Sequence, residues 1–457
     1  MLRFTDTLSG RVVEFEPAVA GRVSIYACGP TVYDVPHLGH ARTALTYDVV
    51  ARYLRWRGYE VTLVANVTDI DDKIIARAHA EGTTEADVAR RYEDVYIAEM
   101  RRLGIADPDH RPHATDYVDE MIAFVEKLVD AGAAYVIEDA GVYFDVSAYP
   151  DYGLLVHRSA DDLREGAGAR VDVDEHKNNP LDFALWKAAK PGEPAWDSPW
   201  MPGRPGWHIE CVAMSLGLLG DGFDIHGGGS DLVFPHHENE RAESEAAGHS
   251  FARHWLHSAM VNIEGEKMAK SAGNFVTLGD VLDTHDPRAL RVAMLQTHYR
   301  STMEISEAVM ASATAAVERL DAFERRLGGL SAGAAGADDE VTARFTAAMD
   351  EDFATPAALA IVFETVRAGH SALDSEDRDA AATALATVRE LSGVLGIEGG
   401  SGGAGGDEEE IEELVAARQK ARVERDFAEA DRIRDELHTR GIEVEDTPDG
   451  SVWHRTG

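Results

Sequence analysis

Cysteine and lysine are scarce in this chain, and its sequence contains no long apolar run. Its 457 residues include two cysteines and eight lysines. Two cysteines cannot form a disulfide framework and are typical of a reducing compartment. No apolar run approaches the ~20 residues of a membrane-spanning helix, and residues 1–6 show no signal-peptide pattern. We therefore expect a cytoplasmic protein without membrane association, and its length suggests about two to four domains.

The two cysteines lie in separate motifs that also offer other metal ligands. Cys28 lies in YACGPT and Cys211 in PGWHIEC, and a third motif, FPHHENE, contains His236 and Glu240. His236 and Glu240 are four residues apart, so on a helix they share a face. Zinc accepts Cys, His and Glu in a tetrahedral shell, and these four residues form a candidate zinc site. Three neighbouring side chains compete as ligands: His208, His237 and Glu238. Ordinary buried cysteines or a disulfide are the alternatives without a metal.

Two histidines stand where a predicted strand is followed by a predicted helix. Residues 23–27 are typical of a buried β-strand, and a helical pattern starts near His40. His37 and His40 lie at this junction, in the sequence PHLGH. In a doubly wound sheet the helix N-terminus at such a junction provides positive potential for phosphate groups. The histidines are therefore candidates for phosphate contacts, with a pair of ordinary loop histidines as the alternative.

A short segment far downstream concentrates two of the eight lysines. Lys267 and Lys270 lie in KMAKS, between Gly265 and Gly273. We call residues 265–273 the lysine loop. Two cations in a glycine-flanked loop suit a clamp on a triphosphate, whereas a solvated charged turn is the alternative. The scarcity of lysine elsewhere favours the clamp.

Seven motifs occur in a fixed order along the chain. They are CGP at 28–30, HLGH at 37–40, NVTDIDDK at 66–73, GWHIEC at 206–211, GGGSD at 227–231, FPHHENE at 234–240 and KMAKS at 267–271. Together they resemble the class I aminoacyl-tRNA synthetases and, within that class, the cysteinyl-tRNA synthetase family. The resemblance extends from the first strand to the last few residues. It departs from the family pattern at Ala269, where the family loop usually has a serine.

The resemblance implies ATP-dependent attachment of L-cysteine to tRNA(Cys) through a cysteinyl-adenylate. It implies one zinc ion per chain, which selects the substrate thiol, Mg²⁺ that accompanies ATP, and a monomeric enzyme. By the same resemblance, His37 and His40 contact the ATP phosphates, and Lys267 and Lys270 close over the triphosphate; these four are the implied catalytic residues. The other implied contacts are Gly229 and Asp231 with adenosine, and Gly29, Thr68 and Trp207 with cysteine.

The expected fold class is α/β, with a class I synthetase Rossmann-type parallel sheet that contains an insertion. An α-helical bundle and a small C-terminal α+β anticodon-binding unit follow. The predicted boundaries are 1–112 for the first half of the catalytic domain, 113–201 for the inserted connective domain, 202–258 for the second half, 259–305 for the stem-contact region with KMAKS, 306–398 for the bundle, 399–407 for a glycine-rich linker and 408–457 for the anticodon-binding domain. Within the insertion we expect one helix, one hairpin and a loop region rich in charge, Pro and Trp.

Two other functions fit part of the sequence. A related ligase forms the same adenylate but transfers cysteine to an amino sugar, and it lacks the anticodon-reading end. The segment after the glycine linker argues against it. A non-catalytic RNA-binding paralogue would have lost signature residues, whereas the histidines of HLGH and the lysines of KMAKS are all present.

The charge of the chain conflicts with nucleic-acid binding. It has 82 acidic and 44 basic residues, a formal net charge of −38. Phosphate contacts dominate nucleic-acid affinity, so a tRNA-binding protein normally has a basic surface. A high-salt cytoplasm resolves the conflict, because ions screen the repulsion between acidic groups. A merely acidic proteome is the alternative, and we expect a halophilic protein.

Overall fold

The computed structural model describes residues 1–166, 177–263, 266–267, 276–328, 330, 336–398, 407–423, 427–439, 442–447 and 450–455. Their contacts divide the chain into two compact units, Met1–Gly399 and Gly400–Gly457. The predicted glycine-rich linker lies outside the described residues except at its end. None of the described helices combines the length and apolar character that crossing a membrane requires.

The first part of the larger unit alternates strands and helices. Its elements are β1 (Arg3–Asp6), β2 (Arg11–Glu14), β3 (Arg22–Ala27), α1 (Leu38–Trp56), β4 (Glu60–Ala65), α2 (Asp72–Glu81) and α3 (Glu85–Arg102). β1 and β2 form an antiparallel hairpin, whereas β3 and β4 pair in parallel through the crossover helix α1. α1 buries an apolar face against the sheet, as a βαβ unit requires.

A second sheet follows within the predicted insertion. Its elements are α4 (Val118–Asp130), β5 (Ala134–Ile137), β6 (Gly141–Phe144), α5 (Ala160–Gly166), β7 (Phe183–Ala188) and β8 (Gly203–Pro205). The predicted helix and hairpin are confirmed by α4 and the antiparallel pair β5–β6. The expected loop region, however, contains β7, which pairs with both β6 and β8. The apolar sequence FALW of β7 explains the difference, since its side chains are mostly buried.

The parallel sheet continues after the insertion. The next elements are α6 (Trp207–Leu219), β9 (Ile225–Gly229), α7 (Glu238–Ala246) and β10 (His254–Ser258). The strand order is β10-β9-β3-β4, and all three pairings are parallel. The predicted parallel α/β sheet is therefore confirmed. Its strand order reverses direction beside β3, where doubly wound sheets bind their ligands.

A small three-stranded sheet and four long helices complete the larger unit. The elements are β11 (Val261–Ile263), β12 (Glu266–Lys267), α8 (Leu278–Leu282), α9 (Pro287–Leu295), β13 (Met303–Ile305), α10 (Glu307–Leu327), α11 (Asp339–Met349), α12 (Thr355–Asp374) and α13 (Arg378–Leu395). The sheet order is β12-β11-β13. One continuous hydrophobic core runs from β3 and α1 through α9 into these helices, which explains why they belong to one unit.

The smaller unit has its own hydrophobic cluster. It comprises α14 (Asp407–Val423), α15 (Phe427–Thr439), β14 (Ile442–Thr447) and β15 (Gly450–Arg455). The turn residues Asp449 and Gly450 predict a hairpin here, and the two strands form it as an antiparallel pair. Ile411, Ile433 and Leu437 are buried between the elements. Gly441 follows the second helix, where a glycine predicts a C-terminal helix cap, but it lies outside the described residues.

Candidate active site and metal centre

A cavity of about 490 Å³ opens at the carboxyl edge of the parallel sheet. The residues that follow the ends of β3, β4, β9 and β10 line it. Its walls include seven of the predicted site residues: Cys28, Gly29, His37, His40, Trp207, Gly229 and Asp231. The cavity therefore joins the predicted nucleotide and amino-acid contacts in one space.

The two histidines of HLGH form the N-terminal cap of α1. The Gly39 amide donates a hydrogen bond to His37 Nδ1 (3.1 Å), and the His37 amide donates to His40 Nδ1 (3.3 Å). Their rings are stacked with centroids 3.8 Å apart. The stack fixes both imidazoles at the helix N-terminus, where the potential favours an anion such as phosphate.

Gly29 follows β3 and lies against Asn66, the residue that follows β4. Its amide donates to Asn66 Oδ1 at 2.8 Å. A Cβ atom at this position would lie 1.7 Å from the Asn66 carbonyl oxygen, so only glycine fits.

Thr68, two residues after Asn66, is buried. Its hydroxyl donates to Glu210 Oε2 at 3.0 Å. Thr68 does not belong to the described residues that line the cavity.

Four buried side chains meet at one end of the cavity, from the residue after β3, from α6, and from the turn before α7 and its first turn. Their ligand atoms all lie within 4.8 Å of one another: Cys28, Cys211, His236 and Glu240. The two Sγ atoms are 3.6 Å apart, and His236 Nε2 lies 3.6 Å from Cys211 Sγ. Glu240 Oε1 lies 2.9 Å from His236 Nε2 and 3.8 Å from Cys28 Sγ. This buried group could hold a metal ion.

The distances suit a zinc ion. Zn–S and Zn–N bonds of about 2.3 and 2.0 Å place tetrahedral donors about 3.3–3.8 Å apart. The separations that involve a sulfur atom agree with this range. The His236–Glu240 pair is closer, at hydrogen-bond distance. Two thiols, one imidazole and one carboxylate are also the donor types that zinc binds.

A second group of ligand atoms overlaps the first. It shares Cys28 and Glu240 with it but takes His226 and His237 as the imidazoles. His237 Nε2 lies 3.2 Å from Cys28 Sγ, and His226 Nε2 lies 2.8 Å from Glu240 Oε2. This group has one sulfur donor instead of two. Zinc favours the group that contains both thiols.

The other two competing ligands point elsewhere. His208 Nδ1 lies 2.9 Å from His236 Nδ1, so His208 can fix the orientation of the His236 ring from behind. The Glu238 carboxylate accepts a hydrogen bond from the Val156 amide at 3.1 Å. Neither side chain belongs to the two groups of ligand atoms found among the described residues.

The two thiols of the cluster have pKa values shifted in opposite directions. Burial raises the pKa of Cys28, and its hydrogen bond with Cys211 raises it further. Burial also opposes ionisation of Cys211, but its hydrogen bonds with Cys28 and His236 outweigh this and lower its pKa to about 6. Burial likewise opposes ionisation of Glu240, and the neighbouring His236, His226 and His237 lower its pKa below the usual value. The cluster thus already favours an anionic thiol and an anionic carboxylate, which are the forms that bind metals.

Comparisons with known proteins agree along the whole chain. Residues 14–315 match the family described as "tRNA synthetases class I (C) catalytic domain". Residues 344–398 match the DALR domain, and residues 406–453 match the "Cysteinyl-tRNA ligase anticodon binding domain". The cysteine–tRNA ligase of Alkalilimnicola ehrlichii is 52% identical over 465 residues, with complete coverage of both chains. That of Halorhodospira halophila is 50% identical over 464 residues, again with complete coverage.

The chain belongs to the cysteine–tRNA ligase family. It is therefore a class I aminoacyl-tRNA synthetase, and its activity is the charging of tRNA(Cys).

Solved structures show that this cysteine–tRNA ligase has the class I fold. A Mycobacterium tuberculosis methionyl-tRNA synthetase in complex with methionyl-adenylate superposes with a TM-score of 0.59 at 16% identity, over 82% of this chain and 90% of that one. The agnB2 LeuRS of Agrobacterium radiobacter K84 has a TM-score of 0.63 at 12% identity, over 84% and 87%. The predicted fold class is confirmed.

The lysine loop of the ligase is described only in part. The backbone of Lys267 lies in β12, whereas its side chain and the whole of Lys270 lie outside the described residues. Gly229 ends β9 and Asp231 follows it, opposite the N-terminus of α1. There, Thr43 of α1 shares a hydrogen bond with Ser258 at the end of β10 (3.0 Å).

Sequence reasoning missed two buried residues of this ligase. His226 is fully buried in β9 beside Glu240, but a lone histidine within an apolar strand gives no local signal of a ligand. Glu210 orients Thr68 by accepting its hydroxyl hydrogen bond. Its position directly before Cys211 in the motif PGWHIEC was the available signal.

Proposed function

We propose that the chain activates L-cysteine with ATP to form cysteinyl-adenylate and then transfers the cysteinyl group to the terminal ribose of tRNA(Cys). One observation carries this proposal. Cys28 belongs to the buried Cys/His/Glu cluster and also lines the cavity that contains HLGH and Asp231. A substrate thiol at the cluster would therefore lie in the same space as the ATP phosphates.

The first step needs no nucleophilic side chain, because the substrate supplies its own carboxylate. That carboxylate attacks the α-phosphate, and pyrophosphate leaves with the electron pair of the broken P–O bond. The protein contributes position and neutralises charge. His37 and His40 contact the phosphates from the N-terminus of α1, and Lys267 and Lys270 contact the triphosphate from the lysine loop. Gly229 and Asp231 hold the adenosine, and Mg²⁺ accompanies ATP.

In the proposed amino-acid pocket, Gly29, Thr68 and Trp207 contact cysteine. Trp207 supports this role because it begins α6, lines the cavity and stacks on the His236 ring with centroids 4.1 Å apart. Glu210 holds the Thr68 hydroxyl in one orientation.

Cys28, Cys211, His236 and Glu240 would hold one zinc ion per chain. When bound, zinc supplies a soft Lewis-acid position that prefers the thiolate of cysteine to the hydroxyl of serine. Shape alone would not suffice, since near-isosteres differ by only about 1–3 kcal/mol in a fitted pocket. The chain's own part is to place these four donors at one end of the cavity.

We propose that the helices of residues 306–398 dock on the tRNA and that residues 408–457 read its anticodon. The proposal keeps the domain boundaries predicted from the sequence, a monomeric state and a cytoplasmic location. Anticodon recognition by residues 408–457 distinguishes this function from transfer of cysteine to an amino sugar.

Cysteine-dependent ATP–pyrophosphate exchange tests the first step, and charging of tRNA(Cys) transcript tests the second. We expect exchange with cysteine, little exchange with serine, and acylation of the tRNA. Acylation of an amino sugar in place of tRNA would support the rival ligase. Absence of exchange would support the non-catalytic paralogue.

A further inference from the structure

Both ends of the lysine loop are joined to the segment that carries HLGH. Upstream, β12 with Lys267 pairs with β11, and β11 pairs in parallel with β13. Downstream, the Leu278 amide donates a hydrogen bond to the Pro36 carbonyl at 2.9 Å, and Thr277 pairs with His37 in an isolated antiparallel β-bridge. The downstream connection is direct. The upstream connection depends on what holds β13 against α1.

α1 and this sheet share a hydrophobic core, and one buried polar side chain of α1 adds hydrogen bonds between them. Arg42 lies on α1 two residues after His40, and it is only 2% exposed. Its guanidinium group reaches four acceptors in the end of α9, the turn that follows it, and β13. They are the carbonyl oxygens of Met294 (3.4 Å), His298 (2.9 Å) and Ser301 (2.9 Å), and Sδ of Met303 (3.1 Å). Met303 is the residue of β13 that pairs with Val261 of β11.

Arg42 is an unusual buried cation. Among the described residues it makes no ion pair, although buried charges are normally paired. Burial lowers its pKa to about 10, so it remains charged near neutral pH. Its Nε atom has no hydrogen-bond partner within the described part of the chain. Three backbone carbonyl groups and one thioether sulfur are its acceptors, and none of them carries a charge, which is a costly way to join a helix to a turn. This cost suggests that the exact placement of the turn matters.

We propose that Arg42 is a positioning residue for adenylate formation. It holds β13, and through β11 also β12 with Lys267, at a set distance from His37 and His40. Arg42 touches neither substrate in this role. The inference rests on the proposed function, in which Lys267 and the two histidines contact the triphosphate of one ATP molecule.

The chain offers a matched control in a second buried arginine. Arg291 of α9 is 1% exposed and also binds α1, through Asp48 (2.7 Å). Its other acceptors are the carbonyl oxygens of Leu103 (3.3 Å), Gly104 (3.0 Å) and Leu395 (3.0 Å). None of these partners belongs to the three-stranded sheet. Arg291 therefore shares the burial and the donor chemistry of Arg42 without the connection to β12.

The experiment compares Arg42→Lys with Arg291→Lys in the full-length enzyme. Melting temperature and ATP–pyrophosphate exchange are measured, and exchange is run well below both melting transitions. We expect Arg42→Lys to lower kcat by up to about a hundredfold, since misplacement of a reacting group by ~1 Å has that effect. KM for cysteine should stay close to wild type. Arg291→Lys should lower the melting temperature to a similar extent but leave kcat near wild type.

A double-mutant cycle with Lys267→Ala tests the route of the effect. If Arg42 acts through β12, Arg42→Lys should cost much less in the Lys267→Ala background, because interacting residues are non-additive. Additive losses, or a loss of kcat that follows melting temperature equally in both arginine variants, would overturn the proposal. A rise in KM for cysteine as the main effect would also overturn it.

A second variant covers the case in which Arg42→Lys does not fold. Met303→Leu keeps the buried volume but removes the sulfur acceptor, and such swaps usually cost less than ~1.5 kcal/mol. It should lower kcat in the same direction and lose its effect in the Lys267→Ala background. Unchanged kcat would count against the proposal. A wild-type enzyme without cysteine-driven exchange would instead reject the proposed function, and this inference with it.

Discussion

At the scale of single residues, the proposed zinc site depends on two thiols from distant segments. Cys211 comes from the second turn of α6, and its Sγ lies 3.6 Å from that of Cys28. We expect one zinc per wild-type chain by elemental analysis, and loss of most of it in Cys211→Ala. Ser215→Ala is the control. Ser215 is equally buried one turn later on α6, and its hydroxyl bonds only to the Val212 carbonyl among the described residues. Full zinc retention in Cys211→Ala would exclude the site.

The lysine loop provides a second prediction at this scale. Lys270→Ala should slow adenylate formation far more than it weakens cysteine binding, because its charge is needed as the phosphate charge redistributes. Loss of one such stabilising group commonly costs about a hundred- to a thousandfold in rate. Single-turnover formation of the adenylate measures the effect. Ala269→Ser should change the rate little, because both lysines remain. A wild-type rate in Lys270→Ala would remove this residue from the mechanism.

At the scale of elements, one carboxylate in the turn between α11 and α12 binds both β1 and the turn before β13. Asp352 accepts hydrogen bonds from the Thr5 amide (3.1 Å), the Thr5 hydroxyl (2.7 Å) and the Tyr299 hydroxyl (2.5 Å). Burial opposes its ionisation, but the hydrogen bonds from Tyr299 and Thr5 outweigh this and lower its pKa. The ionised carboxylate is therefore the form that joins the three elements.

We expect Asp352→Asn to lower the free energy of unfolding by about 1.5–3 kcal/mol at neutral pH, the usual range for hydrogen bonds to a charged group. The left-handed backbone of Asp352 (φ 54°) also accepts asparagine, so strain should not contribute. Because the folded pKa is lowered, the contribution is complete above the unfolded value of about 3.9 and is lost as pH falls through the folded pKa.

Denaturant titrations of both proteins between neutral and acidic pH measure this difference. It should shrink as the pH falls below about 4. Asp374→Asn is the control, because Asp374 is 64% exposed in its ion pair with Arg326, and such surface pairs contribute little. A constant difference between wild type and Asp352→Asn across the pH range would show that ionisation of Asp352 does not stabilise the junction.

At the scale of the whole molecule, the chain consists of two compact units. Truncation after residue 406 should leave cysteine-dependent exchange nearly intact, since every motif for that step lies before residue 274. Charging of tRNA(Cys) should fall sharply, mainly through a higher KM for tRNA, because the anticodon contacts are lost. Comparison of exchange with charging separates the two effects. Loss of exchange as well would mean that the larger unit needs the smaller one for its own structure.

The net charge of −38 leads to the last prediction. Fields between charged groups extend about 30 Å at 0.01 M salt and about 3 Å at 1 M. Added salt should therefore raise the melting temperature by screening the repulsion within the folded chain. Charging should persist or rise at molar potassium chloride, although tRNA binding by an ordinary synthetase weakens there through counterion release. Maximal stability and activity in low salt would show that the acidity is no adaptation to salt.

Local patterns predicted several elements, and the errors of these predictions have local causes. The helix expected to start near His40 begins at Leu38, because His37 caps it through a histidine ring, which is not a usual capping residue. The hairpins of the insertion and of the C-terminal unit were predicted, and residues 23–27 were predicted as a buried strand, but the β1–β2 hairpin was not. Strand β7 was missed because it follows and precedes charged, Pro- and Trp-rich segments, which concealed its six-residue pattern.

The sequence by itself determined the class of fold, the family and the set of candidate ligands, because ordered motifs and short spacings are local properties of a chain. Only the tertiary structure decided which groups meet. Cys28 and Cys211 are 183 residues apart, and Arg42 reaches carbonyl oxygens more than 250 residues away. These contacts follow from the strand order β10-β9-β3-β4 and from the packing of α1 on α9. Local periodicity in the sequence predicts neither. For that reason His226 and Arg42 emerged only when the chain was folded.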